Sequence, residues 1–399
     1  MPHDAQLKTQ TARVSTDNAQ RLQYLPFARP DIDEASIAAV AEVLRSGWIT
    51  TGPRTAQFEA ALSSYFGGRI VKTFTSATGA LEVALAAAGV GAGDEVITTA
   101  MSFAATANVI LRVGARPVFV DVDLGSRNID LDQVETAITP RTKAIMPVHF
   151  AGRPVDMDQL YEIAKRRGLR VIEDAAHAMG ACWRGKRIGS TGDIVVFSFH
   201  PNKNMTTIEG GALVLDDADE AVIVDRHRFH GIRKSADGDL DVEMPGGKYN
   251  FSDVAACIGL GQLARLDEFN VRRRALADLY FERLQTDPPM SLPDRADEDH
   301  CWHIFSPLLP LEHMSFGRSE FIRRMHARGI GVGVHYPAIH ELTLYRERGY
   351  AERSYPNAER IGHGTVTLPL FPAMADSDVD RVCKAAREVL AEAKTRRRA

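Results

Sequence analysis

The stretch that decides the fold runs from Ile70 to Ala88, IVKTFTSATGALEVALAAA. Its first six residues are dominated by β-branched and aromatic side chains, which favour an extended strand. From Thr78 onward alanine and leucine predominate, the signature of a helix. The same alternation recurs further along the chain. EVITT (95 to 99) precedes a helix from about Ser102, and RPVFV (116 to 120) leads to DLDQVETAI. KAIMPV (143 to 148) precedes a helix beginning near Val155, whose Met157, Leu160, Tyr161 and Ala164 share one face, and LRVIE (169 to 173) follows. IVVFSF (194 to 199) and GGALVL (210 to 215) extend the series. Repeated strand-then-helix units predict an α/β fold with a mainly parallel sheet covered on both faces.

Beyond Leu215 the pattern becomes helical, with a long helix expected from Ser252 to about Leu284. The segment from Asp287 to Asp299, rich in proline and aspartate, reads as a linker. HIFSPLLP, a helix near Ser319 to Arg328, the strand-like GIGVGVHY and a last helix from Asp376 suit a smaller α/β domain. At roughly 100 to 200 residues per domain, 399 residues correspond to two or three domains. The expected division is a flexible tail (1–24), an N-terminal segment packing with the small domain (25–55), a large domain (56–284) and a small C-terminal domain (285–399). The basic end, Lys394 and Arg396 to Arg398, reads as a solvated helix terminus.

Composition narrows the function. With 45% hydrophobic and 25% charged residues the chain has ordinary globular usage, which sets aside disordered and fibrous classes. A net charge of −4 gives no reason to expect a nucleic-acid or membrane-surface partner. The four cysteines, Cys182, Cys257, Cys301 and Cys383, lack metal-site spacing and fit a reducing cytoplasm. Met1 to Gln23 is polar, without the apolar core of a signal peptide. The longest apolar run, Val83 to Gly93, is about half of the roughly 20 residues a membrane-spanning helix needs.

Gly89 to Gly93 and Gly329 to Gly333 each follow a helix, the wrong order for a dinucleotide-binding strand-to-helix turn, so a nicotinamide enzyme is disfavoured. Other segments carry more chemistry. Ser76-Ala77-Thr78-Gly79 lies where a strand meets a helix, so its backbone N–H groups suit either ordinary capping or an anion. Asp174 ends an apolar strand. Lys203 lies just past another, five positions after Ser198. An amine, an anion-binding helix start and a strand-end carboxylate are together what pyridoxal phosphate requires: an imine partner, phosphate donors and an anion for the pyridine nitrogen.

The segments SGWITTGP (46–53), GAGDEVIT (91–98), PVFVDVD (117–123), ITPRTKAIMPVHFAGRPVDMD (138–158), VIEDAAHAMGA (171–181), FSFHPNKN (197–204), EGG (209–211), KYNFSDVAA (248–256) and GIGVGVHYP (329–337) resemble the DegT/DnrJ/EryC1/StrS family. Members are pyridoxal-phosphate sugar aminotransferases of the aspartate aminotransferase-like fold, PLP fold type I. The resemblance runs from about Leu25 to the last helix. It implies that Lys203 is the Schiff-base lysine and Asp174 the partner of the pyridine nitrogen. The amides of Ala77 and Thr78 and the hydroxyl of Ser198 would hold the phosphate. Phe103 would stack on the ring, and His177 would lie beside its hydroxyl side. Asn250 would reach the phosphate from the neighbouring subunit of a homodimer. Trp48, Thr50 and Thr51 match a segment near the sugar nucleotide, and His335 and Tyr336 are candidates for substrate contact.

Each position also has a plainer reading. Phe103 could cover the core, His177 could be a hydrogen-bonded interior histidine, Asn250 could cap the helix near Ser252, and His335 and Tyr336 could simply pack. The resemblance implies a transfer of nitrogen from L-glutamate to a nucleotide-linked keto-sugar, with C4 as the expected position. Two alternatives are a sugar dehydratase, in which histidine replaces the lysine, and a non-catalytic binding protein on the same fold. Retention of Lys203 favours transamination.

Overall fold

The computed structural model describes residues 24–234, 237–295 and 299–393. The expected tail, apart from Tyr24, and the basic C-terminal end lie outside the described residues. Helices α1 (Glu34–Ser46) and α2 (Pro53–Tyr65) lead into strand β1 (Ile70–Phe74) and helix α3 (Ala77–Ala87). The series continues with β2 (Glu95–Thr99), α4 (Ala105–Arg112), β3 (Arg116–Val120), α5 (Leu131–Ala137), β4 (Thr142–Met146), α6 (Met157–Arg167) and β5 (Arg170–Asp174). A short hairpin, β6 (Cys182–Trp183) and β7 (Lys186–Arg187), precedes β8 (Ile194–Ser198) and β9 (Gly211–Leu215).

Seven strands form one sheet in the order β1-β9-β8-β5-β4-β2-β3. Only β9 runs against the rest, pairing antiparallel with both β1 and β8. Side-chain alternation divides the sheet between two cores. Ile97, Ile145, Val171 and Val195 enter one with Phe58 and Phe197, while Val96, Ala144, Ile172 and Val196 enter the other with Leu81 and Leu213. All eight of these strand residues are buried, so both faces are covered. The chain is therefore an α/β protein with a large, mainly parallel sheet, as expected.

After β9 come α7 (Ala218–Arg228) and a hairpin, β10 (Ile232–Lys234) with β11 (Leu240–Val242), which is not foreshadowed by any strand-like run in the sequence. Helix α8 (Asp253–Arg283) spans 31 residues, and Ser252 caps it by accepting the Ala255 N–H at 3.3 Å. Asn250 therefore does not cap this helix.

The C-terminal part holds α9 (Arg318–Ala327), α10 (Thr343–Glu347), α11 (Pro356–Gly364) and α12 (Asp376–Ala393). A separate core joins Leu276 and Tyr280 of α8 to Phe321, Val382 and Val389, and includes Leu25. GIGVGVHY does not form the expected strand. It makes isolated bridges instead, Ile330 to Leu25 and Gly333 to Thr367, because its three glycines leave little side chain to stabilise a ladder.

Candidate active site

Parallel strands place their carboxyl ends at one sheet edge, and antiparallel β9 brings its amino end to the same place. The loops after β1, β2, β4, β5 and β8, with the loop entering β9, meet there around a cleft of about 260 Å³. The structure brings Ala77, Thr78, Phe103, Asp174, His177, Ser198, Lys203, His335 and Tyr336 to this cleft. Trp48, Thr50 and Asn250 are not among its lining residues.

At the start of α3, Ser76 accepts the Gly79 N–H at 3.1 Å and its carbonyl accepts the Ala80 N–H at 3.1 Å. The amides of Ala77 and Thr78 are left among the first-turn donors for which a helix has no internal partner. Gly211 passes so close that a Cβ there would lie 2.5 Å from Ala77 N, so only glycine lets β9 approach this helix start.

Lys203 lies on the loop between β8 and β9, whose ends are tied by the Phe199 N–H to the Gly210 carbonyl at 2.9 Å. The residues after it are buried and anchored, with Asn204 Nδ2 donating to Asn270 Oδ1 at 2.7 Å and to the Cys301 carbonyl at 2.9 Å. The ammonium has no hydrogen-bond or ion-pair partner among the described residues. Burial pushes its pKa down to about 8, against an opposing pull from the Asp174 charge.

Asp174 is 4% exposed, and burial raises its carboxyl above the usual range. Thr106 Oγ1 donates to Asp174 Oδ2 at 2.8 Å, and the Ala176 N–H donates to Oδ1 at 3.1 Å. His177 is fixed at both ring nitrogens. Nδ1 accepts the Ala151 N–H at 3.2 Å, so the proton of the neutral ring sits on Nε2 and is shared with Tyr336 Oη at 3.1 Å. Burial holds the imidazole well below its usual pKa and therefore neutral. His335 Nδ1 lies 2.7 Å from Thr367 Oγ1, and burial lowers its pKa to about 4. Phe103 does not cover the core: it is 59% exposed at the cleft, its ring 5.7 Å from that of Tyr336.

Some contributors were not singled out from the sequence. Ser102 and Thr106 lie four positions apart where the sequence reads as helical, a spacing that would have suggested neighbouring hydroxyls, although Ser102 itself precedes the helix. His303, buried with its ring 4.4 Å from that of His177, carries no such local signal. Glu209 and His200 also line the cleft.

A profile of the DegT/DnrJ/EryC1/StrS aminotransferase family matches residues 30–387. The chain belongs to that family. It is a pyridoxal-phosphate-dependent aminotransferase of fold type I. Among solved structures, Spr1654 of Streptococcus pneumoniae, a candidate sugar aminotransferase in its PLP form, is 34% identical with a TM-score of 0.87, covering 93% of this chain and 100% of its own. DesV of S. venezuelae is 35% identical, with a TM-score of 0.84 and coverage of 92% and 98%. PseC of Helicobacter pylori, an aminotransferase involved in the biosynthesis of pseudoaminic acid, is 29% identical, with a TM-score of 0.87 and coverage of 93% and 100%.

The aminotransferase's own residues fit the cofactor. An unpartnered amine, a buried carboxylate that meets only neutral donors, and helix-start amides without partners line one cleft, and each finds its complement in an aldehyde, a pyridinium or a phosphate. Asn250 lies outside that cleft, where its Nδ2 donates to Thr51 Oγ1 at 2.6 Å and its Oδ1 accepts from Lys248. Trp48 is 59% exposed, with its Nε1 donating to the Thr51 carbonyl at 3.2 Å, and the Thr50 carbonyl accepts the Asp253 N–H at 3.1 Å.

Proposed function

We propose that this aminotransferase moves nitrogen from L-glutamate to the keto group, at C4, of a nucleotide-linked sugar, for a cell-surface polysaccharide, lipid A or a natural product. The observation that carries the reading is the convergence of Lys203, Asp174 and the α3 amides on one cleft. A sugar acceptor is supported by the relatives named above and by the walls. No arginine lines the cleft among the described residues, and its hydroxyls and neutral imidazoles suit a polyol.

When bound, pyridoxal phosphate supplies an electron sink for a developing carbanion. Lys203 anchors it and shuttles the proton at Nζ. With a pKa near 8 an appreciable fraction of this amine is uncharged close to neutral pH, as a nucleophile and a base both require. Asp174 keeps the ring nitrogen protonated, Ser198 and the amides of Ala77 and Thr78 bind phosphate, Phe103 covers the ring, and His177 lies at its hydroxyl side. His335, Tyr336, Trp48 and Thr50 contact the substrate. The working unit is a homodimer in which Asn250 serves the partner's site. We place it in the cytoplasm, a setting that the four free cysteines suit. Among the described residues no helix is long and apolar enough to cross a membrane.

The test uses purified enzyme with pyridoxal phosphate, whose near-visible absorbance glutamate should bleach. A panel of UDP-, dTDP- and GDP-linked 4-keto-sugars, followed by mass spectrometry for an amino-sugar product, should restore it. Bleaching by glutamate with no product from any keto-sugar would overturn the acceptor assignment, and no spectral response to glutamate would overturn the donor.

A further inference from the structure

The carboxylate of Asp174 is held by a relay of two hydroxyls, of which Ser102 lines the cleft and Thr106 lies behind it. Thr106 is fully buried and its Oγ1 lies 2.8 Å from Asp174 Oδ2. The carboxylate can only accept at that contact, so the Thr106 proton is committed to it. Ser102 Oγ lies 2.9 Å from Thr106 Oγ1, and since that proton is already used, Ser102 must be the donor. The chain therefore runs in one direction, from Ser102 to Thr106 to Asp174 Oδ2, while the Ala176 N–H occupies Oδ1 at 3.1 Å. Each carboxylate oxygen has one fixed donor, which sets the plane of the group and leaves one lone pair on each for a ligand. Hydroxyls in series polarise one another, so the terminal donor to the carboxylate is strengthened by the one behind it. Ser102 also precedes Phe103, so the turn that presents the aromatic ring carries the first hydroxyl of the relay.

We propose that Thr106, backed by Ser102, is a positioning residue that aims Asp174 at the cofactor's ring nitrogen and keeps it anionic there. Thr106 does not line the cleft and acts only through Asp174. The inference rests on the cofactor assignment and is independent of which sugar is aminated.

The deciding measurement is the ¹⁵N chemical shift of the ring nitrogen in enzyme loaded with ¹⁵N-labelled pyridoxal phosphate, beside the dissociation constant of the cofactor. In the wild type the shift should report a protonated nitrogen. Thr106→Val keeps the side-chain shape and removes the donor. It should move the shift toward the unprotonated value and weaken cofactor binding by about tenfold, as expected for losing one hydrogen bond to a charged group. Thr106→Ser should restore both, and Ser102→Ala should move both in the same direction by less. A Thr106→Val enzyme with native near-ultraviolet circular dichroism and an unchanged ring-nitrogen shift would overturn the proposal, as would failure of Thr106→Ser to rescue it. Both readouts are indifferent to the acceptor sugar, so an inactive sugar panel leaves them intact.

Discussion

Two regions carry the residues marked for chemistry, and they are finished in opposite ways. Around the cleft, Lys203, Asp174, Ser198 and the start of α3 extend from a buried sheet and line a chamber. The second region joins Trp48–Thr55 to Asn250–Asp253. Its buried Asp253 accepts from the Thr55 N–H at 2.8 Å, Thr55 Oγ1 at 2.7 Å and the Arg54 N–H at 3.0 Å. Thr51 Oγ1 ties the two segments through the Phe251 carbonyl at 2.5 Å. Trp48 and Ile49, at 59% and 50% exposure, remain in solvent above it. The first region lines a chamber, and the second is a braced platform that lies outside it. The contrast supports a site completed between two copies, each giving its platform to the other's cleft.

The largest expected effect tests that exchange directly. Lys203→Ala and Asn250→Asp should each abolish turnover alone. Unfolded and refolded together, they should regain about one quarter of wild-type activity, because half the dimers are mixed and one of their two sites is then intact. No recovery, with mixed dimers demonstrated by tagged pull-down, would place Asn250 in the service of its own chain's site.

Bracing of the platform is the next effect. Asp253→Ala removes three hydrogen bonds from a buried carboxylate and leaves the start of α2 uncapped, which should cost about 2–4 kcal/mol in urea unfolding. A change under 0.5 kcal/mol would mean that the platform is not braced by this residue.

Acid should weaken the cleft wall rather than the platform, which holds no histidine. His335 has a folded pKa of about 4 against about 6.5 unfolded, because burial disfavours its charged form. The unfolded chain then binds more protons below pH 6.5, so this contribution is fully present above 6.5 and is lost as the pH falls toward 4. At pH 5 its share is about 2 kcal/mol. His335→Gln should reduce the loss of stability between pH 7.5 and pH 5 by that amount, and an unchanged slope would assign the acid sensitivity elsewhere. Burial shifts His177 and His303 in the same direction, so part of the slope should survive.

Much of the fold is legible locally. The runs at 95–99 and 116–120 coincide with β2 and β3; β2 is buried along its whole length and β3 at the edge along most of it, which calls for apolar and β-branched residues. Legibility fades where pairing partners are distant or weak. The β10–β11 hairpin is built from IRK and LDV, too short and too mixed in polarity to show a period. The helix read from Ser102 begins at Ala105, because the Ser102 hydroxyl is engaged with Thr106 rather than capping the first turn.

The sequence alone determined the alternating order of strands and helices, and with it a parallel sheet whose carboxyl edge must carry the functional loops. It also supplied the amine, the carboxylate and the helix start, since each sits at a fixed offset from a strand end. Tertiary structure decided which of these residues share a chamber. It brought His177 and Tyr336, 159 positions apart, into one hydrogen bond and aimed Asp174 through a hydroxyl relay. It also held Asn250 beside Thr51, away from the cleft of its own chain. The physical reason is range: strand and helix preferences act over a few residues, whereas burial, tautomer and charge state depend on groups that only the packed chain brings together.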